Sequence, residues 1–230
     1  MSGQRGVALI MVVLITTFLS ALGLGLLLAV FMDRLATGNM AGSVAMLYAA
    51  DAGIELAAHD LALAGDWNGV LSAVERSSFN DGTPGGVRVL AGDSSIDLTV
   101  ETNQLNCGRA SACTAAQLTA NSRARPWGAN NPRWQLYAYG PLKNLSQLIR
   151  PVNCYLVVWV ADDGRETDGD PTADAAAEGE PGHGIVRVRA EVFGRAGSRR
   201  AIEAEVARVC LPGAEGCSTG IRVQSWQELR

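Results

Sequence analysis

The chain has 230 residues, a formal net charge of −4 and a pI of about 5.2, enough for one globular domain plus one long additional element. That acidic balance argues against a nucleic-acid partner, which calls for a basic domain or stripe. Hydrophobic residues make up 48% of the chain and aromatics only 6%, so a core here rests on Val, Leu, Ile and Ala.

The first element is apolar. Residues Val7 to Phe31 carry no charge, and about 20 apolar residues suffice to span a bilayer. The run is longer than the apolar region of a cleaved secretory signal. It reads as a retained single span with the N-terminus cytoplasmic, flanked by Arg5 and by Asp33 and Arg34. The helical pattern continues through residues 32–64, which hold no proline and abundant alanine. Gly38, Gly42 and Gly53 weaken it, each by about 1 kcal/mol against alanine, and Gly65 fits a C-cap. The outer half of such a helix needs a partner to cover its apolar stripe. Asp51 and Glu55 lie four apart on one face, more simply a polar stripe than an acid–base pair.

From residue 65 to 230 the texture changes to short β-branched runs between Gly, Pro, Asn and Asp clusters. Strands are expected at Val87–Leu90, Ile96–Glu101, Trp134–Tyr139, Cys154–Ala161, Ile185–Phe193, Ala201–Val209 and Ile221–Trp226. IVRVRAEVF and AIEAEVARV both alternate, with GRAGSRR between them. They read as a hairpin with one apolar and one charged face, hence a sheet with one buried and one solvated side. The expected fold class is α+β, a long N-terminal helix packed on an antiparallel sheet.

Five cysteines punctuate this domain. Cys107 and Cys113 close the short segment CGRASAC, Cys210 and Cys217 close CLPGAEGC, and Cys154 sits in the apolar run CYLVVWV. Two short-range pairs around turn residues suggest local disulfides in an oxidising compartment. The rival is zinc, whose ligands usually stand closer together. Cys154 reads as a buried thiol.

Residues 162–184 are strongly acidic, with eight carboxylates and one arginine between Asp162 and Glu180. They read as an exposed loop joining two strands. One reading is a calcium site on Asp162, Asp163, Asp168 and Asp170, with Gly164 and Gly169 allowing tight turns. The spacing is not that of an EF-hand, and acidic loops are more often simply solvated. The stretch from Asn103 to Pro132 also reads as loop. Trp127 in it is either part of a binding patch or a cover for the core edge.

Enzyme signals are thin. A literal G-x-S-x-G runs from Gly216 to Gly220 around Ser218, but no histidine and no helical pattern follow it. The two histidines, His59 and His183, have no Ser or Cys nucleophile beside them in sequence. No phosphate-binding glycine loop occurs. A non-enzymatic role is expected, with no cofactor beyond the possible calcium.

The leader MSGQRG, ending in glycine just before the apolar run, resembles a class III prepilin signal. RGVALIMVVLI, GNMAG and YAADAGIELA together resemble the PilX N-terminal family of minor pilins, and are somewhat similar to K-type pseudopilins of type II secretion. The resemblance covers roughly residues 1–64. It implies a pilin-like fold divided into a leader (1–6), a membrane segment (7–31), an exported helix half (32–64) and a β-rich domain (65–230). It implies cleavage between Gly6 and Val7 by prepilin peptidase, and methylation of Val7. The implied function is a priming or tip subunit of a type IV pilus or related pseudopilus. Its partners would be other minor and major pilins. It would sit in the bacterial inner membrane with its C-terminal domain periplasmic, and then move to the pilus. Major pilins carry a glutamate fifth in the mature chain, and that position here is Met11. PilX-type and K-type subunits commonly lack it. Helices in lipid associate through close packing of small residues, and Ala21, Gly23, Gly25 and Ala29 offer such a surface. The alternative is a membrane-tethered binding or adhesion module stabilised by calcium.

Overall fold

A computed structural model of the chain describes residues 4–90, 94–123, 125–145, 153–174, 181–211 and 218–229. The architecture is α+β. Helix α1 (Gln4–Leu63) runs through two compact units, the first ending at Val44 and the second starting at Ala45.

In the first unit every residue from Val7 to Gly42 is exposed. A helix that is apolar on all sides suits a lipid surround rather than a single core-facing stripe, and this one is long and apolar enough to cross a membrane. Three hydroxyl side chains in the apolar run are satisfied within the helix. The hydroxyls of Thr16, Thr17 and Ser20 donate to the carbonyls of Val12, Leu14 and Thr16 at 2.8–3.0 Å, as an apolar environment requires.

In the second unit, α1 is followed by the single turn α2 (Asn68–Leu71) and a ribbon of β1 (Val87–Val89) with β2 (Ser95–Asp97). Helices α3 (Leu98–Cys107) and α4 (Ala115–Thr119) come next. Then come β3 (Gln135–Pro141), β4 (Tyr155–Asp162), β5 (Ile185–Phe193), β6 (Arg199–Leu211) and β7 (Ser218–Leu229). The last five form one antiparallel sheet in chain order. The hairpin reads as its alternation foretold: Phe193 pairs with Arg199 at the turn and Ile185 with Ala207 at the far end.

The last turns of α1 supply the stripe that covers this sheet. Met46, Ala50, Ile54, Ala57 and Leu61, at helical spacing, share one core with Leu156, Val158 and Val160 of β4, Val188, Ala190 and Val192 of β5, and Ile202 and Ala204 of β6. Trp67 closes the end of this core, with none of its surface exposed. Its indole Nε1 donates to the Leu61 carbonyl at 3.0 Å, and the Arg208 guanidinium lies 4.3 Å from its ring centroid.

Three expectations change. The strand expected at Ile96–Glu101 stops at Asp97, because the Asp97 carboxylate accepts the N–H groups of Thr99 and Val100 at 2.9 and 3.3 Å and starts α3. Gly108, at φ +70°, then ends that helix in the left-handed conformation. Part of the loop expected over Asn103–Pro132 is helical, with α4 opened by a reciprocal Thr114–Gln117 cap. The far side of the sheet is only partly solvated. Tyr155, Val157, Trp159 and Ala161 of β4 form a second core with Leu136, Phe193, Ile96, Leu98 and Trp134. The reason is legible in β4 itself: CYLVVWV is apolar at consecutive positions, so both of its faces seek cover. Among the described residues, the β5–β6 part of that side keeps a charged ladder, in which Arg187 pairs with Glu203 and Arg189 with Glu191.

Candidate functional site

Gly6 and Val7, between which cleavage is expected, lie inside α1, which runs through them without a break. Met11 is exposed on the helix. Its thioether carries no charge. An added Cβ at Gly23, Gly25, Gly38 or Gly42 would meet nothing within 4 Å. These glycines are bare surface that a neighbouring helix could approach closely. Gly53 is the opposite case. A Cβ there would lie 2.8 Å from Leu156 Cδ1 and 3.0 Å from Ala190 Cβ, so its bare backbone lets α1 settle directly on β4 and β5.

Asp60 is a polar anchor that the sequence pattern did not single out. Its Oδ2 accepts from Ser77 Oγ at 2.6 Å and from the Tyr137 hydroxyl at 3.1 Å. This ties the last turns of α1 to the 77–80 segment and to β3. Burial, then the Asp60 charge, pushes the Tyr137 hydroxyl well above its ordinary pKa. A second such node joins the Tyr155 hydroxyl to Asp81 at 2.8 Å, with Arg88 on the other carboxylate oxygen at 2.9 Å. On α1, Asp51 accepts from Trp226 Nε1 of β7 at 2.9 Å, and Glu55 and His59 are exposed.

The acidic segment is not uniformly exposed, as expected from composition, but begins buried. Asp162 and Asp163 are each 3% exposed and Glu166 is 1% exposed. They differ in their surroundings. Asp163 is held by Arg165 Nε at 2.7 Å. Asp162 Oδ1 has no hydrogen-bond partner. Burial and then the Glu166 charge push its carboxyl up to about 9, so it keeps its proton at neutral pH. Asp168 and Asp170 lie exposed. Asp168 accepts from the Asp170 N–H at 2.8 Å, and Asp170 from the Thr172 hydroxyl at 2.6 Å. Of the four aspartates considered for calcium, Asp163, Asp168 and Asp170 thus engage in separate local bonds, and Asp162 is buried with its Oδ1 unpartnered. Among the described residues no three Asp, Glu, His or Cys side chains gather to hold a metal ion. Trp127 is 40% exposed. It lies against Gly164, where an added Cβ would sit 2.7 Å from its ring. It therefore packs on the start of the acidic turn rather than standing free.

Cys107 and Cys113 are joined in a disulfide, with their Cα atoms 5.9 Å apart, and Cys154 is a buried free thiol. The Cys210–Cys217 pairing lies outside the described residues. From Ser218 the chain enters β7, whereas a hydrolase serine of this motif opens a helix. His183 Nδ1 is 3.9 Å from Asp174 Oδ1.

No family model, curated protein or solved structure matches the chain. What it does must therefore be argued from these residues alone.

Proposed function

We propose that the chain is a minor pilin of the PilX type, a non-enzymatic priming or tip subunit of a type IV pilus or related pseudopilus. The observation that carries this reading is the start of α1. The uncharged, all-round apolar run of α1 begins at Val7, directly behind MSGQRG, and the same helix later supplies the stripe packed on an antiparallel sheet. Prepilin peptidase would remove residues 1–6, and Val7 would become the methylated N-terminus. The bare surface at Gly23 and Gly25 supports helix-to-helix packing with other pilins. Met11 supports a minor rather than a bulk position, since it leaves no charge to pair inside the fibre. The Cys107–Cys113 disulfide supports a periplasmic domain. In this reading the protein works by packing, and Gly53, Asp60 and Trp67 serve to fix the domain on its helix.

The test is association in cells. A tagged full chain is expected in the sheared fibre fraction or in cross-linked complexes with other pilins. Gly25→Leu should weaken that association while the protein still reaches the membrane. A chain that never cross-links to a pilin would contradict the proposal.

A further inference from the structure

A cavity of about 440 Å³ opens in the disulfide-bonded region between α3 and the residues Ser122 and Arg125. Its lining includes Gln104, Arg109, Gln117, Ser122 and Arg125, with the Cys107 end of the disulfide. No acidic side chain lines it. The sequence around it is unusual for a chain of net charge −4: from Thr102 to Ala161 there is no Asp or Glu, while Arg109, Arg123, Arg125, Arg133, Lys143 and Arg150 all fall in that stretch.

Arg125 is the fixed cation of this cavity. Its Nη atoms donate to the carbonyls of Asn106, Leu118 and Pro132, which locks the guanidinium in place. Its buried Nε has no partner. Among the described residues no carboxylate pairs with Arg125 or Arg109. Burial first, and then the neighbouring Arg187 and Arg133, push the Arg125 guanidinium below its usual pKa. Its surroundings therefore add positive charge and supply no anion. A half-buried cation without a counter-ion is costly, and an anionic ligand would relieve that cost. The size is that of a small-molecule site.

We propose that this cavity binds a hydroxylated carboxylic acid of about monosaccharide size, that is, a sugar acid. Arg109 meets the carboxylate, as guanidinium groups do with planar anions, and the Arg125 guanidinium, fixed by its three carbonyls, adds positive charge beside it. The Gln104 amide, which both donates and accepts, meets the ring hydroxyls, and so do the Gln117 NH2 and the Ser122 O–H as donors, their oxygens already accepting from the Thr114 and Arg125 N–H groups. This inference stands apart from the pilin reading, since it concerns only residues of the second unit.

Calorimetric titration of the detergent-solubilised full chain with glucuronate tests it, with glucose and inorganic phosphate as comparison ligands. Glucuronate is expected to bind, glucose to bind at least tenfold more weakly, and phosphate not to match glucuronate. Arg109→Gln should weaken glucuronate binding about tenfold and leave thermal unfolding unchanged, because Arg109 is exposed. Absence of glucuronate binding, or equal binding by Arg109→Gln, would overturn the site. Phosphate binding as tightly as glucuronate, or glucose binding as tightly, would overturn the ligand class.

Discussion

Gly53 of α1 stands so close to Leu156 of β4 that a single added methyl carbon would come within 2.8 Å of the Leu156 Cδ1. Helix propensity alone favours alanine here by about 1 kcal/mol, so the glycine is explained by the contact and not by the helix. Gly53→Val should destabilise the domain by about 2 kcal/mol through overpacking. Gly38→Ala, with open space around it, should be neutral or mildly stabilising. Urea unfolding of the full chain in detergent, followed by tryptophan fluorescence, separates the two.

Asp60 joins residues far apart in sequence, and its loss should show a graded pattern. Asp60→Ala leaves the Ser77 and Tyr137 hydroxyls without their acceptor and should cost about 2 kcal/mol. Tyr137→Phe should cost about half of that, because Ser77 still donates to the carboxylate. Equal costs in the same unfolding assay would contradict a shared anchor.

The Asp162 carboxyl predicts a pH dependence with a definite sign. Its folded pKa is pushed up to about 9, above an unfolded value near 3.9. The folded state therefore holds a proton that the unfolded chain has already released. The stabilisation linked to that proton is complete below about pH 4 and is lost progressively as pH rises toward about 9. Asp162→Asn should flatten this decline and make the protein relatively more stable at pH 8. Thermal unfolding of both forms across that range in a chelator checks it.

The Cys107–Cys113 link closes a short loop beside the proposed cavity. Replacing both cysteines with serine should lower stability by about 2 kcal/mol, the loop-closure value for so short a segment. It should also weaken sugar-acid binding if the cavity depends on the loop. Denaturant unfolding of the oxidised, reduced and substituted forms measures the first effect, and calorimetry the second.

Much of the fold was legible because its signals are local. The β5–β6 hairpin announces itself by alternation, and α1 by an uncharged run that passes into an alanine-rich one. The strand expected at Ile96–Glu101 failed because one side chain, Asp97, redirects a β-branched segment into a helix. Gly108 at the far end was an available sign of that helix. The double-sided burial of β4 was present in CYLVVWV but was outweighed by the clean alternation of its neighbours. The charge density of the acidic turn points to exposure, whereas Asp162 and Glu166 are buried. Asp60 was beyond reach from sequence, since its partners lie 17 and 77 residues away. The cavity likewise joins α3 to Arg125 through a fold that spacing does not reveal.

The most direct measurement of the central claim is the intact mass and N-terminal peptide of the protein made with and without active prepilin peptidase. The account predicts a chain that starts at methylated Val7 only when the peptidase is active. A chain that retains residues 1–6 in both cases would contradict it.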